Sequence, residues 1–248
     1  MIDQAWKCYD ASRTNPCLVQ PSCPILWFEN LEAYKTSALK IVTVALNPSR
    51  KEFPGQNPFE RFPKTSALYP DITLGKGRQT YVESLNEYFT IAPYRSWFGW
   101  FHEILIGMKA SYYRGFDNTA LHTDLCSPLA TDPTWSGLGP NQVYFENFGI
   151  PLWHLLIDEL APDILLFSIA RRYLELVRFI DPTQWSALHT IQRNDPLKRP
   201  YIVYVQRPAG KPIVIFGQAA QQPFATLDKL SRQEIGKVIV ASIANSVQ

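Results

Sequence analysis

The stretch "KIVTVALNPSRKEFPGQNPFERFP", residues 40–63, decides the fold prediction. Its apolar run, residues 41–46, is rich in β-branched side chains, which is typical of a strand buried on both faces of a sheet. The run ends at the triplet Asn-Pro-Ser, residues 47–49, where neither a strand nor a helix continues easily. We therefore predict a buried strand over residues 40–46, followed by a loop that carries aromatic and positively charged side chains.

The rest of the chain alternates apolar runs of strand length with segments of helical periodicity. The predicted strands are residues 40–46, 119–124, 162–169, 201–205 and 212–216. The predicted helices are residues 78–89, 96–108, 151–160 with a proline in the first turn, 170–180 and 224–246. This alternation favours an α/β fold with a mostly parallel sheet that helices cover on both faces.

Residues 1–39 read as a mostly irregular or helical lead-in that packs on the core through Trp27 and Phe28, and residues 40–248 as a single α/β domain. Lys and Arg number 24 against 22 Asp and Glu, so the net charge of +2 gives no strong attraction to polyanions. The chain shows neither a membrane-length apolar run nor a secretory signal, which favours a cytoplasmic monomer without membrane contact. The cysteines are expected to be free thiols and match no metal-site spacing: Cys8, Cys17, Cys23 and Cys126.

Ligands of parallel α/β sheets bind beyond the carboxyl ends of the strands, which selects the loops that begin at Asn47, Asp124 and Gly217. Taken in order, these loops resemble the uracil-DNA glycosylase superfamily. The first loop reads "ALNPS", where family members carry G-[IM]-N-P-G, and it keeps the asparagine that orients the attacking water. Phe59, twelve positions after Asn47, matches the aromatic residue that stacks on the flipped base, and Phe62 follows closely.

The other two loops depart from the family pattern. "HTDLCSPL" puts Asp124 where the family has its base-reading asparagine, and "GQAAQQP" puts Gly217 where one branch has a histidine. The resemblance spans roughly residues 40–230 and implies a three-layer α/β/α sandwich and a monofunctional DNA glycosylase. It implies no metal, no cofactor and no Schiff-base lysine. In that interpretation Ser49, Arg50, Lys51 and Gln218 face DNA.

Glycosidic cleavage needs a base outside the stack and stabilisation of both the cationic sugar and the departing base. A neutral Asn47 can accept a hydrogen bond from water without adding charge to a pocket that holds phosphate. The alternative is an Asx-type turn before the proline-led loop. Phe59 and Phe62 would stack on a base, or else anchor the loop on the core. Arg50 and Lys51 would contact phosphates, or else be solvated surface charges.

Asp124 bears on the choice of base. A carboxylate only accepts hydrogen bonds, so it repels O4 of uracil and suits the N4 amino group of cytosine. His122, two residues earlier on a strand, would orient Asp124 or supply a proton, or would be an ordinary core histidine. Asp124 itself has an alternative role as a helix cap or the partner of an arginine. Gly217 removes the family histidine and would leave volume for a larger base.

These observations lead to a hypothesis: a DNA glycosylase that hydrolyses the N-glycosidic bond of a flipped, modified cytosine to leave an abasic site. The resemblance suggests glucosylated hydroxymethylcytosine, which phage-defence members of the superfamily excise. Two alternatives stay open. One is excision of uracil or another deaminated base, and the other is a DNA-binding protein of the same fold without catalysis.

Overall fold

The computed structural model describes residues 1–68, 74–193, 199–219, 222–224 and 226–244. The strands in this part of the chain are β1 (Ile41–Ala45), β2 (Ala110–Ser111), β3 (Asn118–Asp124), β4 (Ile164–Phe167), β5 (Ser186–Ile191), β6 (Tyr201–Gln206) and β7 (Ile213–Gly217). They form a seven-stranded sheet in the order β2-β3-β1-β4-β7-β6-β5. The predicted mixed α/β class with a mostly parallel sheet is therefore confirmed.

β1 lies in the middle of the sheet, and all five of its residues are buried. It pairs in parallel with β4, with Ile41 opposite Ile164 and Val44 opposite Phe167. A strand with apolar side chains on both faces is stable only where helices cover both faces. The chain leaves β1 towards β3 on one side and later returns to β4 on the other. β1 is thus the strand at which the order reverses, the position where sheets of this kind bind ligands.

One edge of the sheet departs from the parallel pattern. β6 runs antiparallel to both β7 and β5. The turn at Arg207–Gly210, which the sequence marks as a break between two strands, joins β6 and β7 as a hairpin. β5 is not predictable from its sequence pattern, because its residues are exposed or half-buried and form no apolar run.

The α-helices of the described part are α1 (Ile2–Ser12), α2 (Leu31–Thr36), α3 (Pro63–Ser66), α4 (Leu74–Asn86), α5 (Tyr88–Ile91), α6 (Arg95–Gly107), α7 (Asn141–Leu160) and α8 (Lys229–Ala244). The prediction for residues 96–108 agrees with α6 to within one residue. The prediction for residues 151–160 is wrong at its start, because α7 begins ten residues earlier and Pro151 lies inside it. The prediction for residues 170–180 is also wrong. There a 3₁₀ helix, Arg171–Leu176, buries Tyr173 and Leu174, and the remaining residues form turns and loop.

The chain divides into two compact units, each assembled from three sequence segments. The first unit comprises residues 1–35, 45–94 and 121–161. The second comprises residues 36–44, 95–120 and 162–248. Most of the expected lead-in belongs to the first unit, where Trp27 and Phe28 are buried, at 3% and 2% exposure, as the sequence predicts.

The N-terminal segment of the first unit runs beside the segment that follows β3. Backbone amides of Val19, Ile25 and Phe28 donate to the carbonyls of Ala130, Pro128 and His122 respectively. These bonds add an irregular ladder along residues 122–130 and fix the chain on one side of the polar residues described below. None of the described helices has the length and apolar character needed to span a membrane.

Candidate functional site

The carboxyl ends of β1 and β3 bring the two main predicted residues to one place. The amide of Leu125 donates to the carbonyl of Ala45 at 2.9 Å, and the amide of Cys126 donates to that of Leu46 at 2.8 Å. These bonds continue the pairing of the two strands past their ends. Asn47 and Asp124 therefore lie on neighbouring segments at the same end of the sheet, within the first unit.

Asn47 is half-buried, and hydrogen bonds hold its side chain. Its Nδ2 donates to the carbonyl of Pro48 at 2.6 Å and to Oγ1 of Thr131 at 2.8 Å. An amide nitrogen has two protons, so both are committed, and the atom left for a ligand is the acceptor Oδ1. The side chain is therefore set to receive a hydrogen bond, as a water-orienting residue requires.

The loop after Asn47 begins with a tight turn. Ser49 caps a 3₁₀ helix, Arg50–Glu52, and its hydroxyl accepts from the amide of Lys51. The Arg50 guanidinium forms an ion pair with Asp132 at 2.5 Å, and both side chains are half exposed. Lys51 is exposed and has no ion pair within the described part of the chain. Of the cations predicted to face DNA in this loop, Arg50 thus has its charge balanced locally.

The loop's two phenylalanines differ in exposure. Phe62 is fully buried, with its ring 5.4 Å from Phe53 and 5.3 Å from Tyr88, centroid to centroid. No face of Phe62 is open to a base, so the structure places it as an anchor of the loop, which was the alternative interpretation. Phe59 is 9% exposed and meets Phe53 edge-on at 6.2 Å. Both rings are thus buried, and only Phe59 keeps a small exposed fraction.

Asp124 and His122 form a buried pair at the end of β3. Nε2 of His122 lies 3.8 Å from Oδ1 of Asp124, and the side chains are 2% and 3% exposed. Burial raises the pKa of Asp124 above its usual value, while the hydrogen bond and charge of His122 act in the opposite direction. His122 also exchanges backbone hydrogen bonds with Phe28, whose ring lies 5.4 Å away. The predicted proximity of His122 to Asp124 is therefore present.

Glu52 is a third ionisable group in this region, and it was not predicted from the sequence. The Glu52 side chain is 7% exposed, its Oε2 accepts from the Tyr88 hydroxyl at 2.6 Å, and Arg61 Nε lies 3.6 Å away. Burial, with a smaller effect from the charge of Asp124, raises the Glu52 pKa to about 7, although the hydrogen bond of Tyr88 and the charge of Arg61 act in the opposite direction. In the sequence, Glu52 stands among charged loop residues and is indistinguishable from a solvated side chain.

Two more cations of the loop region are paired. Arg61 donates to the carbonyls of Lys51 and Ala92 and is only 14% exposed. Lys64 bridges Glu83 at 3.1 Å and Glu87 at 2.7 Å. The positive charges that suggested a surface for nucleic acid thus serve mostly to hold the loop in place.

Gly217 and Gln218 belong to the second unit. A Cβ on Gly217 would lie 2.1 Å from the Phe224 ring and 2.8 Å from the Tyr201 hydroxyl, which itself donates to the Gln218 carbonyl. The expected free volume at Gly217 is therefore filled by Phe224, and that expectation is wrong. The side chain of Gln218 is exposed. The free cysteines are Cys8, Cys17, Cys23 and Cys126, and the described residues contain no group of His, Cys, Asp and Glu able to hold a metal.

The fold and the site define an α/β protein with polar and ionisable side chains at the carboxyl ends of two adjacent inner strands. Comparisons with protein-family models, curated proteins and solved structures find no match to this chain. A fold of this kind supports many activities, so function has to be argued from the chemistry of the site.

Proposed function

We propose that this protein is a monofunctional DNA glycosylase that hydrolyses the N-glycosidic bond of a flipped cytosine-type base. The observation that carries the proposal is the Asn47 side chain. It stands just past the strand where the sheet order reverses, and both of its amide protons are committed to Pro48 and Thr131. A fixed neutral acceptor at that position suits a water molecule that attacks a cationic sugar.

In the proposed reaction, Oδ1 of Asn47 accepts a hydrogen bond from water and aims the water oxygen at C1′ of the flipped nucleotide. A C1′–O bond forms and the C1′–N bond to the base breaks, with its electron pair leaving on the base. The proton lost by water ends on the released base, so the products are an abasic site and the neutral free base. Asn47 itself does not change its protonation state, which matches a side chain that does not titrate.

Asp124 supports a base with an exocyclic amino group. As a carboxylate it accepts from an amino group such as N4 of cytosine, and His122 beside it favours the charged form. Phe59, which keeps 9% exposure, is the ring proposed to contact the base. The filled space at Gly217 gives no support for a bulky modification, so the proposal rests on the amino group and leaves the modification to experiment.

A second candidate is excision of uracil, and one observation favours it. Burial raises the pKa of Asp124, which favours the protonated acid. A protonated carboxyl group donates one hydrogen bond and accepts another, as an asparagine amide does. It could therefore donate to O4 of uracil while accepting from N3–H.

The test is incubation of the purified protein with single- and double-stranded DNA that carries cytosine, hydroxymethylcytosine, glucosylated hydroxymethylcytosine or uracil. Alkali then cleaves any abasic sites. We expect strand cleavage in DNA with a modified cytosine, and loss of that cleavage in Asn47→Ala. Asp124→Asn should weaken cleavage at modified cytosine and favour uracil, because an amide reads uracil.

Cleavage of uracil DNA alone by the wild-type protein would establish the second candidate. Binding to every DNA without any cleavage would contradict both and leave a DNA-binding protein without catalysis.

A further inference from the structure

The segment after β3 holds a threonine that contacts the Asn47 side chain. Thr131 is fully buried, at 0% exposure. Its Oγ1 accepts from Nδ2 of Asn47 at 2.8 Å and donates to the carbonyl of Pro133 at 3.0 Å. Its backbone amide also donates to the carbonyl of Pro48 at 3.2 Å. One residue therefore contacts the Asn-Pro loop with both its side chain and its main chain.

The direction of these bonds determines which way the Asn47 amide faces. A threonine hydroxyl has a single proton, and here the carbonyl of Pro133 receives it. What Oγ1 offers to Asn47 is then a lone pair, which attracts the NH₂ group and repels Oδ1. The carbonyl of Pro48 favours the same orientation of the Asn47 amide, since it is also an acceptor. A flip of the amide would set Oδ1 against two acceptors and turn the NH₂ group towards the ligand.

The same two segments are joined at the surface. Arg50 of the first segment forms its ion pair with Asp132 of the second. Ser49 and Thr131 also form an isolated parallel bridge. The position of Thr131 relative to Asn47 is thus also fixed by contacts between the residues that follow Asn47 and the residues at 131 and 132.

We propose that Thr131 is a positioning residue, which fixes the Asn47 amide with Oδ1 towards the attacking water. Its catalytic consequence rests on the proposed function, whereas its effect on the orientation of the amide does not. Loss of the hydroxyl removes one of the two acceptors that hold the amide, and an NH₂ group that turns towards the water competes for the oxygen that must attack. Misplacement of a reacting group by about 1 Å costs on the order of 100-fold in rate.

The experiment compares Thr131→Val, which keeps the shape without the hydroxyl, with Thr131→Ser, which keeps the hydroxyl. In steady-state excision assays, we expect Thr131→Val to lower kcat by roughly 10- to 100-fold with KM changed less than about threefold. Thr131→Ser should stay within about threefold of wild type.

The control is Thr43→Val, which removes another buried threonine hydroxyl, one that shares a hydrogen bond with Tyr112 at 2.6 Å. It should lower stability to a similar extent and leave kcat unchanged. An unchanged kcat in Thr131→Val, or an equal loss in Thr43→Val, would overturn the positioning role.

A second readout does not depend on activity. In ¹⁵N-labelled protein, the side-chain NH₂ resonances of Asn47 are identified by their disappearance in Asn47→Ala. We expect them to move towards the positions of a free amide in Thr131→Val and to stay in place in Thr131→Ser. Unmoved resonances in Thr131→Val would overturn the inference even in an active enzyme. If the wild-type protein releases no base, the proposed function fails, and these resonances still decide whether Thr131 orients Asn47.

Discussion

At the scale of single residues, hydrogen bonds and burial restrict the chemistry that each side chain of the site can perform. Asn47 has committed donors and an available acceptor, Asp124 is a buried carboxyl group beside a histidine, and Glu52 is a buried carboxyl group beside a tyrosine and an arginine. These three residues belong to the first unit and follow or end β1 and β3. Each can be altered without a change in size, so each role can be tested separately.

Glu52 makes the stability of the protein depend on pH. Its pKa is raised from 4.5 to about 7 in the folded state, so between these values the folded protein binds more protons than the unfolded chain. The contribution of Glu52 to stability is then largest below pH 4.5 and is lost as pH rises through 7, by about 3 kcal/mol for a shift of this size. Glu52→Gln still accepts from Tyr88 and should lack this fall.

Urea denaturation of wild type and Glu52→Gln at pH 5 and pH 8 measures the effect. We expect the free energy of unfolding of the variant, relative to wild type, to rise by roughly 2 to 3 kcal/mol between the two pH values. Parallel pH profiles for the two proteins would show that Glu52 does not carry the raised pKa.

Asp124 gives a prediction about base choice. Asp124→Asn replaces a group that accepts with one that both donates and accepts. If wild-type Asp124 reads an amino group as a carboxylate, this substitution lowers excision of the modified cytosine by on the order of 10- to 100-fold, a cost of about 1 to 3 kcal/mol, and raises activity on uracil. The measurement is the ratio of kcat/KM for the two bases. A ratio that stays the same would mean that Asp124 does not contact the base.

At the scale of secondary-structure elements, α7 holds the segment that follows β3. Gly149 of α7 lies against that segment, and a Cβ there would be 2.0 Å from the carbonyl oxygen of Cys126. Farther along the same helix, Nε1 of Trp153 donates to Oγ1 of Thr123 at 3.0 Å. α7 therefore packs against the residues on either side of Asp124.

This close approach predicts the effect of adding one methyl group. Gly149→Ala should destabilise the protein by roughly 2 kcal/mol or more, because backbone atoms must move to admit the Cβ. Gly99→Ala in α6 is the matched control, since no atom lies within 4 Å of its Cβ position. That substitution should instead stabilise by about 0.5 to 1 kcal/mol. Chemical denaturation compares the two, and equal effects would contradict the packing described for α7.

Strands that are buried on both faces give a clear signal in the sequence. β1, β4 and β7 are such strands, and their apolar runs mark them without any knowledge of their neighbours. β5 was missed because an edge strand with half-exposed side chains has no such run. The start of α7 was misplaced because Pro151 resembles a helix start, although it lies inside the helix.

The candidate site was predictable only in part, for a related reason. Asn47 follows the end of β1, and His122 and Asp124 lie at the end of β3, and the sequence locates both strand ends. Whether Phe62 faces a ligand or the core depends on Phe53 and Tyr88, which approach it only in the folded chain. Glu52 likewise gains its raised pKa from burial in the folded chain and from the charge of Asp124, which is distant in sequence.

At the scale of the whole molecule, the distribution of charge predicts how strongly DNA binding depends on salt concentration. The net charge is +2, and Arg50, Arg61 and Lys64 each lie in an ion pair with an acidic side chain. Few cations near Asn47 are then available to displace counterions from phosphates. DNA binding by this protein should therefore depend on ionic strength more weakly than is usual for DNA-binding proteins.

This expectation is tested by the slope of log K against the logarithm of the salt concentration, where K is the association constant for DNA. We expect a magnitude below about 3, since each neutralised phosphate contributes roughly 0.7 to 0.9. Lys51→Ala should lower the magnitude by about 1, whereas Lys64→Ala, whose ammonium group already bridges Glu83 and Glu87, should change it little. A steep slope that Lys51→Ala leaves unaltered would place the phosphate contacts elsewhere in the protein.

The most direct test of the central claim, that Asn47 directs water to a glycosidic bond, is detection of the free base by mass spectrometry. Wild-type protein and Asn47→Ala are incubated in H₂¹⁸O with DNA that carries the modified cytosine. We expect release of the intact base by wild type, ¹⁸O at C1′ of the abasic product, and a rate at least about 100-fold lower for Asn47→Ala. Equal release by the two proteins, or no release by wild type from any DNA of the panel, would contradict it.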